Sequence, residues 1–340
     1  MSKTQVAIIC GGRSSEHEIS CISASGVFEA IDRSNYEPIL IGITKTGNWT
    51  LLNGKESFTP GEDGLPSVPE RKNELSISSA GIKKESGELL EVDLAFPVLH
   101  GAYGEDGTIQ GLFEMAGIAY VGSGVLASSV AMDKTFAKPI YADFGMKVAD
   151  GITVHQRDWH ANQAMEIAKI SALGFPLFVK PARSGSSRGT TKVKDASGIP
   201  AAINAAHRHD PRAMVEVAIK GREIECAVLE IDGTPHASVL GEVRVHTSFD
   251  VPADIPENLS KEIREAAITA FTALGCEGLA RVDFFLTETS EVIINELNTM
   301  PGFTPRSVFP MLWEATGKSY REIITELCRS ALGRSQNVVR

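Results

Sequence analysis

Two apolar patterns run along this chain, and they predict different elements. Short runs with little polar interruption, QVAIIC at 5–10, ILIGIT at 39–44 and LAFPVL at 94–99, have the character of strands buried on both faces, as in parallel sheets. The first stops at Gly11-Gly12 and the third runs into HGAYGEDG. A helix-like segment from about Ser20 to Ile31 separates the first two runs. Residues 52–92, rich in Gly, Pro, Ser, Lys and Glu, predict hairpins and surface loops. These features predict an N-terminal open parallel α/β domain over residues 1–122, with ligands beyond the carboxyl ends of its strands. GGRSSEHEIS and HGAYGEDG sit at such ends.

The second pattern is periodic. KEIREAAITAFTALG sets Ile263, Ala267, Phe271 and Leu274 on one helical face. RVDFFL (281–286) and EVIINELN (291–298) alternate instead and predict a hairpin. Residues two apart on a strand share a face, so Arg281 and Asp283 point together, as do Glu296 and Asn298. Val282, Phe284 and Leu286 face the other way. Upstream lie helix-like SSVAMDKTFAKPIYADFG, strand-like PLFVK with a Gly/Ser loop after it, and the strand MVEVAI at 214–219, broken by Lys220-Gly221. REIECAVLEI and HASVLGEVRV then read as strands. The predicted organisation is three units, 1–122, 123–216 and 217–340, without internal repeats.

Composition narrows the function classes. With 340 residues, 43% of them hydrophobic and 22% charged, the chain reads as a soluble protein of more than one domain. A formal charge of −10 argues against a nucleic-acid surface, which needs clustered Lys and Arg. The five cysteines are odd in number, scattered and form no C-x-x-C pair, a pattern of reduced cytoplasmic thiols. No apolar run approaches the ~18 residues of a membrane span, and the N-terminus lacks a signal-peptide pattern. The expectation is a cytoplasmic protein that contacts neither nucleic acid nor membrane.

Candidate chemistry clusters at the Gly/Ser loop and the hairpin. In FVKPARSGSSRG (178–189) small residues let backbone N–H groups converge beside Lys180, a chemistry suited to phosphate. The lysine precedes the glycines, so this is not the G-x-x-x-x-G-K-[ST] loop. On the hairpin, two carboxylates (Asp283, Glu296) and an amide (Asn298) converge with Arg281 if the faces align. Oxygen donors of that kind suit Mg²⁺, which shares its coordination with phosphates and water. The competing reading is a solvated face with a surface salt bridge. Glu216 and Glu223 flank the passage into the third unit, as nucleotide contacts or as ordinary surface acids. Lys134 is a phosphate ligand or a solvated helical lysine, and Glu16 and Glu18 are ligands or favourable charges at a helix start. His17 and His100 stand alone, which fits structural hydrogen bonds. No Ser–His–Asp order and no zinc spacing emerges.

GGRSSEHEIS, HGAYGEDGTIQG, YVGSGVLASSVAMDK, VKPARSGSSRG, GREIECAVL, LARVDFFL and NELNTMPGFTPRS together resemble the successive motifs of D-alanine–D-alanine ligases, members of the ATP-grasp superfamily. The resemblance covers nearly the whole chain. It implies a three-domain ATP-grasp fold and ATP-dependent joining of two D-alanines through a D-alanyl phosphate, for peptidoglycan precursors. By resemblance, Lys134, Lys180 and Ser187 bind the phosphates of ATP, Glu216 the adenine amino group, Val217 and Ile219 the adenine edge, and Glu223 the ribose. Asp283, Glu296 and Asn298 hold two Mg²⁺ (or Mn²⁺) ions. Glu16 orients the first D-alanine, with Ser186 in the same network, while Arg281 and the N–H of Gly302 stabilise the tetrahedral intermediate. His100, Ser307 and Val308 contact substrate, Ser307 through the carboxylate of the second D-alanine. The family also implies a homodimer.

The sequence departs from the family pattern between GEVRV and VPADIP. Most relatives carry a longer loop there, with a Tyr-Glu-Ala-Lys-Tyr type motif that covers the nucleotide. Here only HTSFD (246–250) stands, without tyrosine or lysine, either as a truly short lid or because this sequence lacks residues present in the molecule. Arg188 also replaces an apolar residue usual in relatives, with no role assigned. Rival readings are a ligase with a D-hydroxy acid or D-serine as second substrate, and a nucleotide-binding protein without turnover.

Overall fold

The computed structural model describes residues 3–61, 63–185, 188–245 and 248–334. The N-terminal five-stranded sheet has the order Ala119–Tyr120, Leu94–Pro97, Thr4–Gly11, Tyr36–Ile43, Trp49–Leu52. Its strands pair parallel except for the last. Val6 to Cys10, all 0% exposed, explain the unbroken apolar run. Val6, Ile8 and Cys10 pack with Cys21, Ala24 and Val27 of helix His17–Ala30, whereas Ala7 and Ile9 pack with Ile109 and Phe113 of helix Thr108–Ala116. His17 makes the structural hydrogen bonds expected of it: Nδ1–H donates to Gly12 O (2.7 Å) and Nε2 accepts from Val68 N–H (3.1 Å).

A four-stranded antiparallel sheet follows, ordered Gly151–His155, Arg212–Val217, Leu177–Pro181, Thr191–Val193. The third sheet has six strands: Lys147–Val148, Val292–Asn298, Leu279–Thr287, Gly221–Ile231, Thr234–Val245 and Ser248–Asp250. The alternation at 281–298 forms the predicted hairpin. Val282, Phe284 and Leu286 enter a core with Ile263, Ala267, Phe271 and Leu274, the buried face of helix Glu257–Ala273 and its C-terminal end. That packing turns Arg281, Asp283, Glu296 and Asn298 to the opposite face.

Two features differ from the sequence reading. The segment expected as one helix is two, Val125–Met132 and Lys134–Asp143, separated at Asp133. Asp133 caps the second helix by accepting from Thr135 N–H (3.1 Å) and pairs with Arg212, a partner 79 residues away. Ala127, Ala131, Ala137 and Tyr141 of these helices pack in the core of the six-stranded sheet, so this part of the second unit leans on the third. Beyond GEVRV, residues expected as a loop form a strand instead: Ser248–Asp250 pairs with the strand that ends at Val245, Val245 opposite Ser248. His246 and Thr247 lie outside the described residues. Among the described residues no helix is long and apolar enough to cross a membrane.

Candidate active site

Two polar cavities meet where the three sheets converge. One, of about 380 Å³, is lined by Glu16, His100 and Glu105 from the N-terminal sheet's loops and by Gly302 after the hairpin. The other, of about 340 Å³, lies between Lys180, Glu216 and Val217 of the four-stranded sheet and Glu223, Glu225 and Asp283 of the six-stranded one. Lys134, Arg281 and Glu296 line both. A group held at that shared wall is within reach of either cavity.

The hairpin register brings its polar residues together: Arg281 stands opposite Asn298 and Asp283 opposite Glu296. Arg281 donates from Nε and Nη2 to the two oxygens of Asp283, at 2.7 Å each, and Asn298 Nδ2 donates to Asp283 Oδ2 (3.2 Å). This is no solvated surface pair, because the Arg281 and Asp283 side chains are only 22% and 15% exposed. Burial pushes the Asp283 carboxyl up despite Arg281. Burial also opposes ionisation of Glu296, yet Lys134 and Lys180 outweigh it and hold that carboxyl at about 2. Lys134 Nζ lies 2.9 Å from Glu296 Oε2 and donates to Ser184 O (3.0 Å).

Among the described residues no group of three or more His, Cys, Asp and Glu side chains is arranged to hold a metal ion. The set here is two carboxylates and an amide, which is what Mg²⁺ takes when phosphates and waters supply its other ligands. Both carboxylates already draw cationic side chains, Arg281 and Lys134. The residues fit a divalent cation that arrives with a phosphate-bearing ligand.

In the second cavity Glu216 binds two lysines, Oε1 to Lys138 and Oε2 to Lys180, both at 2.5 Å. Burial opposes its ionisation, and the two lysines hold it below the usual carboxylate range. Lys180 Nζ also reaches Asn295 Oδ1 at 3.5 Å. Val217 and Glu223 line the cavity, and Ile219 is half-buried in the two-strand connection that follows. Ser186 and Ser187 lie outside the described residues. Arg188 is exposed, with its N–H donating to Gly185 O (3.1 Å).

In the first cavity Glu16 occupies the position before helix His17–Ala30 without capping it through its side chain. Glu18 pairs with Lys45 (2.6 Å). His100 bridges two units: Nδ1–H donates to Met300 O (3.0 Å), which leaves Nε2 to accept from Ser23 Oγ (3.1 Å). Burial pushes its pKa down, so the ring is neutral. Ser307 Oγ accepts from Thr304 N–H (3.0 Å) and stands before helix Val308–Thr316. A Cβ on Gly302 would sit 3.2 Å from that oxygen. The Val308 side chain is buried in the core and does not line the cavity.

Three residues went unnoticed in the sequence. Lys138 is four positions from Lys134 on one helix, hence on the same face, and that spacing was a usable signal. Glu225 is two positions from Glu223 on a strand, and the alternation argument applied to the hairpin reaches it as well. Glu105 lies in HGAYGEDG, a segment placed at a strand end, but nothing local announced its state: its carboxyl accepts from Gly101 N–H (2.6 Å), and burial pushes it up to about 8.

Residues 5–123 match the family model described as D-ala D-ala ligase N-terminus, and residues 140–329 match D-ala D-ala ligase C-terminus. A D-alanine–D-alanine ligase of Paenarthrobacter aurescens is 44% identical over 362 aligned positions, covering 98% of this chain and 96% of the relative. Among solved structures, the D-alanine-D-alanine ligase from Coxiella burnetii superimposes with a TM-score of 0.85 at 35% identity, covering 97% of this chain and 95% of that one. The VanG D-Ala:D-Ser ligase from Enterococcus faecalis gives 0.84 at 37% identity, covering 96% and 98%.

Proposed function

The chain belongs to the D-alanine–D-alanine ligase family, and from that membership we infer that it joins two D-alanines into D-alanyl-D-alanine, with ATP converted to ADP and phosphate. The product serves peptidoglycan precursor synthesis. The observation that carries this reading is the wall formed by Lys134, Arg281 and Glu296, common to both cavities. A phosphoryl donor in one cavity and a carboxylate acceptor in the other meet there.

A carboxylate is a poor electrophile. The carboxylate of the first D-alanine therefore attacks the γ-phosphorus of ATP, releasing ADP and leaving an acyl phosphate. Lys134 and Lys180 offset the charge concentrated in that step. Two Mg²⁺ (or Mn²⁺) ions held by Asp283, Glu296 and Asn298 would add charge compensation on the phosphates. The neutral amine of the second D-alanine then attacks the carbonyl carbon, the carbon–oxygen bond to phosphate breaks, and the proton lost from nitrogen leaves with the phosphate. Arg281 and the N–H of Gly302 meet the oxyanion, and the arginine stays charged throughout the neutral range.

Around these steps, Glu16 pairs the ammonium of the first D-alanine, with Ser186 in the same network, and the neutral His100 ring bounds that site. Ser307 and the backbone of Val308 receive the carboxylate of the second D-alanine at a helix start, where N–H groups are free for an anion. Glu216 takes the adenine amino group, Val217 and Ile219 the adenine edge, Glu223 the ribose, and Ser187 the phosphates. The three units 1–122, 123–216 and 217–340 carry the amino-acid site, the nucleotide loop and the cation site. The reading extends to a homodimer in the cytoplasm, which light scattering of the purified protein tests for assembly.

The connection after Val245 bears on efficiency. The alignment with the Paenarthrobacter relative, 362 positions, exceeds the 340 residues of this chain, so that relative has residues without a counterpart here. With Ser248–Asp250 paired to the strand that ends at Val245, little of the chain here is available to cover a nucleotide. Some acyl phosphate is then lost to water, and ADP formed should exceed dipeptide formed. Purified protein, ATP and D-alanine decide the main reading: phosphate release should depend on D-alanine, and D-alanyl-D-alanine should dominate when D-serine and D-lactate compete. Phosphate release indifferent to D-alanine would sink it, and a mixed product would reassign the second substrate.

A further inference from the structure

Arg281 stands between two carboxylates on neighbouring strands. Asp283 takes its Nε and Nη2 at 2.7 Å each. Glu225 lies opposite Asp283 in the register of strands Gly221–Ile231 and Leu279–Thr287, with Oε1 3.5 Å from Arg281 Nε. Its second oxygen, Oε2, is buried without a hydrogen-bond partner among the described residues, in a residue 9% exposed. Buried polar atoms are normally satisfied, and like charges directly opposite across two strands repel. None of the roles above uses Glu225. An unsatisfied carboxylate beside an arginine that already has a partner is a poor arrangement for a resting protein. It is a useful one if the partners of Arg281 change.

That change follows from a double demand on Asp283. The oxygens that hold the guanidinium are the ones through which Asp283 would ligate a divalent cation. Cation binding weakens the Arg281–Asp283 pair, and a buried arginine that loses its partner needs another. We propose that Glu225 is that partner: as Asp283 turns to the cation, the guanidinium passes to Glu225 and stays in the wall shared by the two cavities. Glu225 is thus a positioning residue, acting through Arg281 and touching no substrate. The proposal rests on the divalent-cation reading above and adds a residue to it.

Mn²⁺ binding in the presence of ADP, followed by the paramagnetic resonance of the free ion, tests it without turnover. Glu225→Gln should bind Mn²⁺ about 3- to 10-fold more weakly, because Arg281 then competes for Asp283 without an alternative. Its melting temperature without metal should be equal or higher, since a buried carboxylate oxygen without a hydrogen-bond partner is gone and Arg281 keeps its bonds to Asp283. In an Arg281→Gln background, where the competitor is absent, adding Glu225→Gln should leave Mn²⁺ affinity unchanged. Should Glu225→Gln fold poorly, Glu225→Asp, which draws the charge back from Nε, should weaken Mn²⁺ binding in the same direction. Unchanged affinity in Glu225→Gln, with or without a lower melting temperature, would mark a structural role and overturn the proposal. Equal weakening in the Arg281→Gln background would overturn it too, leaving Glu225 as a source of negative field alone. If the wild-type protein bound no Mn²⁺ with ADP, the cation reading would fail first and this proposal with it.

Discussion

Glu296 and Glu105 line the same cavity, and burial pushes both toward the protonated form. Glu296 nonetheless sits at about 2 and Glu105 at about 8. The difference lies in what each element brings. The hairpin places Glu296 opposite Asp283 and beside Lys134, whose ammonium lies 2.9 Å away. The HGAYGEDG loop gives Glu105 one backbone N–H, from Gly101, while Glu16 nearby raises it further. Burial alone does not decide the charge of these two carboxyls; Lys134 and Lys180 together outweigh it at Glu296, and among the described residues no such pair of ammonium groups faces Glu105. The hairpin is accordingly the charged, cation-handling side of the site, and the loop is a neutral wall of the amino-acid side.

The largest effect should come from breaking the charged side. Asp283→Asn and Glu296→Gln should each lose most turnover while remaining folded by circular dichroism. Unchanged turnover at saturating Mg²⁺ in either variant would remove the hairpin from the chemistry.

Substitutions on the amino-acid side should act on binding instead. Glu16→Gln should weaken the first D-alanine by about 1.5–3 kcal/mol, the range for a hydrogen bond to a charged group, and Ser307→Ala should weaken the second by about 0.5–1.5 kcal/mol. Separate KM values for the two amino-acid sites check this. Effects confined to the KM for ATP would erase the division between the cavities.

A separate effect falls on stability rather than activity, and its sign sharpens the contrast. A carboxyl held at about 8 in the fold, against an ordinary 4.5, binds a proton that the unfolded chain has released. Between those values stability falls as pH rises. Glu105→Gln should therefore flatten the decline in melting temperature from pH 5 to pH 8. Glu296, lowered to about 2, works the other way: its contribution is present above 4.5 and lost as pH falls toward 2. A wild-type melting curve that rises from pH 5 to pH 8, with Glu105→Gln unchanged, would contradict the neutral wall.

The sequence made some of this legible and hid the rest for a physical reason. Alternation in RVDFFL and EVIINELN announced which residues share a face, because a strand's side-chain period is local. The unbroken run QVAIIC likewise announced a strand covered on both sides. The break at Asp133 was not legible, since the residue that holds it, Arg212, comes from a distant strand. The burial of Lys138 beneath Glu216 and the neutral state of Glu105 also depend on elements far away in the chain. Spacing could have nominated Lys138 and Glu225, but their partners appear only when the sheets converge. The roles carried over by family resemblance came from motifs, not from periodicity.

Oxygen-18 transfer tests the acyl phosphate most directly. The protein is given ATP and D-alanine labelled in its carboxylate, and the phosphate released is analysed by mass. If the carboxylate attacks phosphorus and the amine later breaks the carbon–oxygen bond, each phosphate released in step with D-alanyl-D-alanine carries one labelled oxygen. Phosphate without label, released in step with D-alanyl-D-alanine, would contradict a D-alanyl phosphate at the junction of the two cavities.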